Sequence, residues 1–163
     1  MAILALFLCF GANAQDTSKP VVINYRTHES FPAYPLFALD SSRFNSLRVA
    51  GKKEPVVIIY FSPTCSHCQR QAEEITGHIK AFKDVQFLMV SSYPMQEIKE
   101  YVNTYALSRF PNITVASDPN FSMGQFFELK SLPGIYVYNK NGKYKTHFET
   151  NVLADTLAKA VRE

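Results

Sequence analysis

The sequence has no tryptophan, only three cysteines and six glycines in 163 residues, and no apolar run long enough to cross a bilayer. Three cysteines exclude a small fold held together by many disulfides. Charge is also sparse: 19% of residues are Asp, Glu, Lys or Arg, and 17 basic residues stand against 14 acidic ones, for a formal net charge of +3. No run of like charge exceeds a few residues, so the mild basicity serves solubility and no nucleic-acid partner is expected. Internal repeats and low-complexity tracts are absent. What is present is apolar and aromatic: 47% hydrophobic residues, with 13 Phe and 9 Tyr. That content excludes disorder and is enough for one domain with a real core.

The longest apolar stretch is MAILALFLCF, Met1–Phe10, followed by Gly11-Ala12-Asn13-Ala14 and Gln15. A short apolar core that ends in Ala-x-Ala has the pattern of a secretory signal peptide, and about ten apolar residues are too few to span a membrane. We therefore expect residues 1–14 to be a signal peptide, the product to be exported, and the mature chain to carry no membrane span. The positive residues that usually precede such a core are missing, and Cys9 follows Leu8 where lipid attachment wants a small residue. Cleavage removes Cys9 and leaves Cys65 and Cys68 in a compartment where thiols can be oxidised.

Residues 15–20 read as a polar linker and residues 21–163 as one domain. Val21–Tyr25 suits an edge strand, while the signals from Thr27 to Lys53 are mixed, with Pro32 and Pro35 breaking any regular pattern. Pro55–Phe61, PVVIIYF, is a continuous β-branched and aromatic run that fits a strand buried on both faces. Cys68, Ala72, Ile75, Ile79 and Phe82 then step by four and three along a helical stripe. Val85–Val90 repeats the buried-strand pattern, and Met95, Ile98, Val102 and Tyr105 repeat the helical one. Alternation of this kind predicts parallel strands with helical crossovers, hence an α/β sheet. Ile113–Ala116 suits a short extra strand, and Asp118-Pro119 a helix start with Asp as cap and Pro in the first turn. Asn139-Lys140-Asn141-Gly142 predicts an antiparallel hairpin between Ile135–Tyr138 and Lys143–Phe148. Val152–Val161 closes the chain as an amphipathic helix.

The chemistry points to Cys65-Ser66-His67-Cys68. Cys65 falls where a buried strand ends and a helix begins, so free N–H groups and the helix dipole favour its thiolate. Cys68 lies one turn on and opens the apolar stripe, so it is expected to be the more buried of the two. Cys65 would attack a disulfide in another protein and Cys68 would resolve the mixed disulfide. Ser66 and His67 would tune the pair. A His at the helix start supports the Cys65 thiolate, which favours the reduced form and makes the disulfide more oxidising.

A buried strand, Cys-x-x-Cys at a helix start, Leu132-Pro133 before an antiparallel hairpin and a terminal helix together resemble the thioredoxin superfamily. With the signal peptide, an N-terminal extension and an extra segment at 113–127, the chain is similar to exported bacterial TlpA-like thiol-disulfide oxidoreductases over Val21–Glu163. The resemblance implies a mixed central sheet flanked by helices, a periplasmic location, and a cis Pro133 facing the cysteines. It also implies that Leu132 offers its backbone to the substrate. No cofactor is expected, because the Cys65–Cys68 disulfide and dithiol are themselves the redox carrier. The partners implied are cysteine-containing proteins and an electron donor or acceptor. Three departures stand out: Thr64 replaces the usual Trp before the first Cys, Ile59 the buried Asp six residues before it, and Gln71 the Glu of TlpA-like reductases. Proton transfer from Cys68 is then left to water or to Glu73 and Glu74, both expected to face solvent. Gly134 after the Pro leaves the groove less crowded than the usual Thr.

Three rival readings exist. A peroxiredoxin would carry Pro-x-x-x-Thr/Ser-x-x-Cys, and Ser62 fits but Ile58 takes the Pro position. A metal or Cu(I) chaperone would use the two thiolates, but His28, His78 and His147 show no paired ligand spacing. An inert structural disulfide would close a loop of only two residues and constrain the unfolded chain little. Asp40, Asp118 and Asp155 read as turn and cap residues, and Tyr60 as core.

Overall fold

The computed structural model describes residues 25–26, 29–51 and 53–163. The expected signal peptide, linker, Cys9 and most of the edge strand at Val21–Tyr25 lie outside the described residues. Tyr25 itself is in a turn, not a strand; it is buried and its N–H donates to Phe126 O at 3.1 Å.

Seven strands form one mixed sheet: β1 (Pro35–Phe37), β2 (Arg43–Asn45), β3 (Val56–Tyr60), β4 (Gln86–Ser91), β5 (Ile113–Ser117), β6 (Gly134–Tyr138) and β7 (Tyr144–Phe148). Their order is β2-β1-β5-β4-β3-β6-β7. The apolar run at 56–60 has no polar face, so only the middle of a sheet covered on both sides suits it. There β3 pairs in parallel with β4, Ile58 opposite Leu88, and antiparallel with β6, Ile58 opposite Tyr136. All five of its residues are buried.

The described helices are α1 (Leu47–Ala50), α2 (Ser66–Gly77), α3 (Met95–Thr104), α4 (Ser122–Phe126) and α5 (Ala154–Arg162). The pleat of β3 divides the core. Val57, Ile59 and Phe61 pack with Cys68, Ala72 and Ile75 of α2, Ile98 and Val102 of α3, and Leu157 and Val161 of α5. Val56, Ile58 and Tyr60 pack on the other face with Val49 of α1, Met123 and Phe126 of α4, and with Phe31, Leu36 and Phe44. The thioredoxin-like α/β architecture is thus present: parallel β3, β4 and β5 joined through α2 and α3, then the antiparallel β6–β7 hairpin and a terminal helix.

The N-terminal extension forms a strap from one side of the sheet to the other. Tyr144 N–H donates to Glu29 O and Phe31 N–H to Gly142 O, both at 2.7 Å, so residues 29–31 lie along the start of β7. Tyr34 then meets the Phe126 ring, and Phe37 of β1 pairs with Ser117 of β5 at the far side.

Several boundaries differ from the sequence reading. The stripe from Cys68 to Phe82 is not one helix: α2 stops at Gly77 and Ile79–Phe82 is a 3-10 turn that keeps Phe82 in the core. The extra strand at 113–117 is an interior strand between β4 and β1. Pro119 does not open a helix. Asp118 and Pro119 form a turn closed by Phe121 N–H to Asp118 O, and α4 begins three residues later. Asp118 still caps it: Oδ1 accepts from Ser122 N–H at 3.0 Å and Oδ2 from Met123 N–H at 2.8 Å. In the hairpin, Asn139 Oδ1 accepts from the N–H groups of Asn141 and Lys143, and Gly142 takes the positive φ of 73° that closes the turn.

Candidate active site

β3 delivers the chain to Phe61 and Ser62, and a tight turn carries it into α2. Cys65 N–H donates to Ser62 O at 3.2 Å, and Cys65 stands at the N-cap with extended backbone (φ −82°, ψ 120°). Its own carbonyl receives Gln69 N–H at 3.0 Å, which starts the helix. Ser62 Oγ and Thr64 Oγ1 lie 3.1 Å apart and rigidify the turn. Cys65 is therefore the last residue before the free N–H groups of the helix, with its side chain half-exposed.

Cys68, inside α2, differs in burial and surroundings. It is 1% exposed, packed between β3 and α3. Its Sγ accepts Ser62 N–H at 3.5 Å, and its carbonyl accepts the buried Tyr101 hydroxyl at 2.7 Å. Burial pushes the Cys68 thiol up to about 12; the Ser62 N–H opposes that shift, and the adjacent Cys65 adds to it. Both cysteines are free thiols here.

Across the motif lies the end of the β6 approach. The Leu132–Pro133 bond is cis, and Cys65 Sγ donates to Leu132 O at 3.7 Å. The structure thus brings Cys65, Cys68, Leu132 and Pro133 together across 67 residues of sequence. Ser66 and His67 project outward from the first turn, both exposed. His67 reaches sideways: Nδ1 lies 2.8 Å from Asn151 Oδ1.

The carboxyl groups considered for Cys68 are placed differently from expectation. Glu73 is exposed, as expected, but Glu74 is half-buried with Oε2 accepting Ala154 N–H at 3.0 Å. Gln71 is fully buried; its Oε1 accepts Val152 N–H at 2.7 Å and its Nε2 has no hydrogen-bond partner. Asn151, Val152 and Tyr101 are the site residues that sequence reasoning missed. No local spacing connects residue 67 to residue 151.

The remaining candidates lie elsewhere. His78 caps the end of α2 with Nδ1 on Glu74 O, and His147 bonds the Tyr144 hydroxyl at 2.7 Å. His28 lies outside the described residues. Asp40 holds a turn by accepting Ser42 N–H, and the Ser42 hydroxyl together with that N–H keeps its carboxyl below the usual range. Among the described residues, no group of three or more His, Cys, Asp or Glu side chains converges on one point, and no helix is long and apolar enough to cross a membrane. The larger cavities, about 710 and 570 Å³, do not touch the cysteines; a cleft of about 190 Å³ between Thr64 and Tyr101 lies next to them. The half-exposed Cys65 sulfur thus lies at the surface beside a small cleft and not inside a large cavity.

The fold is that of several solved redox proteins. A secreted disulfide oxidoreductase of Mycobacterium tuberculosis, homologous to DsbE of E. coli, superposes with a TM-score of 0.65 at 18% identity, over 78% of this chain and 92% of its own. DsbF of the same organism gives 0.67 at 21% identity, over 78% and 91%. Its peroxidoxin BcpB gives 0.68 at 15% identity, over 82% and 94%. No curated protein matches in sequence. The AhpC/TSA family matches residues 32–147, a span that contains both cysteines and the cis-proline, and on that match over most of its length, in a thioredoxin fold, the chain belongs to the AhpC/TSA family.

Proposed function

We propose that the protein is an exported, periplasmic thiol-disulfide oxidoreductase in which Cys65 attacks and Cys68 resolves. The observation that carries this is the contrast within one helical turn: a half-exposed Cys65 at the N-cap and a buried Cys68 whose thiol burial holds in its protonated form. The Cys65 thiolate attacks one sulfur of a partner's disulfide, the partner's S–S bond breaks, and its second sulfur leaves as a thiolate. Cys68 then loses its proton and attacks Cys65 Sγ, and the first partner sulfur departs. Two electrons pass from the dithiol to the partner, and the reverse sequence oxidises a partner dithiol.

The proton on Cys68 has few destinations. Gln71 has no basic oxygen to spare and Glu74 is engaged by Ala154 N–H. The departing partner thiolate, or water, takes it. Leu132 O beside Cys65 and Pro133 would line the backbone of the bound partner, and Ser66 and His67 would modulate the thiolate. Partners are cysteine-containing proteins, together with an electron donor or acceptor that restores the working state; the pair itself is the redox carrier.

A second reading follows from the family and from the fold shared with a peroxidoxin. In it the Cys65 thiolate breaks a peroxide O–O bond, giving a sulfenic acid and an alcohol or water. Cys68 then condenses with it to the disulfide and releases water. The deciding experiment equilibrates the protein with glutathione buffers and, separately, compares reduction of glutathione disulfide with reduction of hydrogen peroxide. We expect a reversible Cys65–Cys68 couple with a potential above the thioredoxin value of about −270 mV. We also expect a stable glutathione adduct on Cys65 in Cys68→Ser. Faster turnover with peroxide selects the second reading. Absence of any dithiol-disulfide equilibrium overturns both.

A further inference from the structure

Three side chains of α2 reach the connection between β7 and α5. His67 meets Asn151, Gln71 accepts from Val152 N–H, and Glu74 accepts from Ala154 N–H, at 2.8, 2.7 and 3.0 Å. Positions 67, 71 and 74 are four and three apart, so they share one face of the helix. The lower two bonds join side chains to backbone and fix the path of residues 152–154. The top one differs. It joins two side chains, it is exposed, and it engages the only ring within the cysteine motif.

An exposed bond between neutral groups adds little net stability. Its effect falls on the ring instead. With a carboxamide oxygen as partner, Nδ1 carries the proton, and Nε2 is the atom left to gain or lose one. The bond also holds the imidazole in one orientation, two residues from Cys65 in the first turn of α2.

We propose that Asn151 is a positioning residue that sets the redox poise of the Cys65–Cys68 pair by fixing the orientation and tautomer of His67. This rests on the thiol-disulfide reading. Reduction of the disulfide by two glutathione thiols yields the dithiol and glutathione disulfide. A ring whose charge, when present, is held in the first turn of α2 favours that reduced side, because Cys65 caps the same helix and carries its thiolate at that end. A ring released from Asn151 samples several rotamers and no longer holds that charge in one orientation.

The test is a double-mutant cycle on the glutathione equilibrium: unaltered protein, Asn151→Ala, His67→Ala and the pair. Asn151→Ala is expected to lower the equilibrium constant for reduction of the protein disulfide about three- to fivefold, with the urea unfolding midpoint unchanged. In the His67→Ala background it should change the constant no further. An unchanged constant in Asn151→Ala overturns the proposal, as does a shift that persists undiminished without His67. Should Asn151→Ala fold poorly, Asn151→Ser keeps a polar residue in the loop but is too short to reach the ring, and the same outcomes apply. Absence of a redox equilibrium in the unaltered protein would instead overturn the thiol-disulfide reading.

Discussion

Cys65 and Cys68 are three residues apart, yet burial separates their chemistry. Burial lifts the Cys68 thiol from its ordinary value of 9.0 to about 12. The folded chain therefore keeps a proton that the unfolded chain gives up. Below about pH 9 both states carry it and this group has no effect on stability; from there to about pH 12 the unfolded state binds fewer protons and stability falls. Buried Tyr60 and Tyr101, raised by the same cause, act in the same sense at higher pH. The urea midpoint of the reduced protein is expected to drop between about pH 9 and about pH 10.5, and Cys68→Ala to flatten that drop. A midpoint indifferent to pH over that range would contradict the buried thiol. At neutral pH, iodoacetamide should add one label to the pair in the folded protein and two in urea, read by mass, with Cys65 as the folded-state site.

Where β5 ends, a single carboxylate organises the start of the next element. Asp118 is buried and accepts from Tyr60 Oη at 3.1 Å as well as from the two α4 N–H groups. Three donors converge on a group that only accepts, which satisfies all of them. Asp118→Asn keeps the shape but turns one acceptor into a donor facing donors, so it should cost about 1–3 kcal/mol in urea unfolding. An unchanged midpoint would falsify the three-donor picture. Asp118 also shows how far sequence reading reaches. Its capping role was legible from the residue type, but the turn between cap and helix was not, because Pro119 fits the first turn of a helix and a tight turn equally well. The buried runs of β3 and β4 and the stripe of α2 were legible because each is long enough to show its period. β1 and β2 were not: three-residue strands that bury only Leu36 and Phe44 have no period to show. The clamp from α2 to residues 151–154 was invisible for another reason, since its partners meet only after the sheet has formed.

At the scale of the whole molecule, one segment touches both outer strands of the parallel core and its hairpin. Residues 29–31 lie along the start of β7, and Pro35–Phe37 pairs with β5 on the opposite side. Leu36, fully buried opposite Phe44, is the anchor of the second grip. Leu36→Asp is expected to release β1 and β2 while leaving β3, β4 and β6 paired. Hydrogen exchange should then show fast amides at 35–45 and slow ones at 56–60 and 86–90; uniform loss of protection would mean that the strap is part of the central folding unit. The consequence reaches beyond one chain. A loosened strap uncovers the backbone at the end of β5 on one flank and at the start of β7 on the other, and these two rows are not alike. Unlike edges pair head to tail between copies, and such pairing closes no ring unless its rotation happens to fit. The strap thus shortens, at Ser117 and at Tyr144, two unlike edges that lie at opposite flanks of one chain.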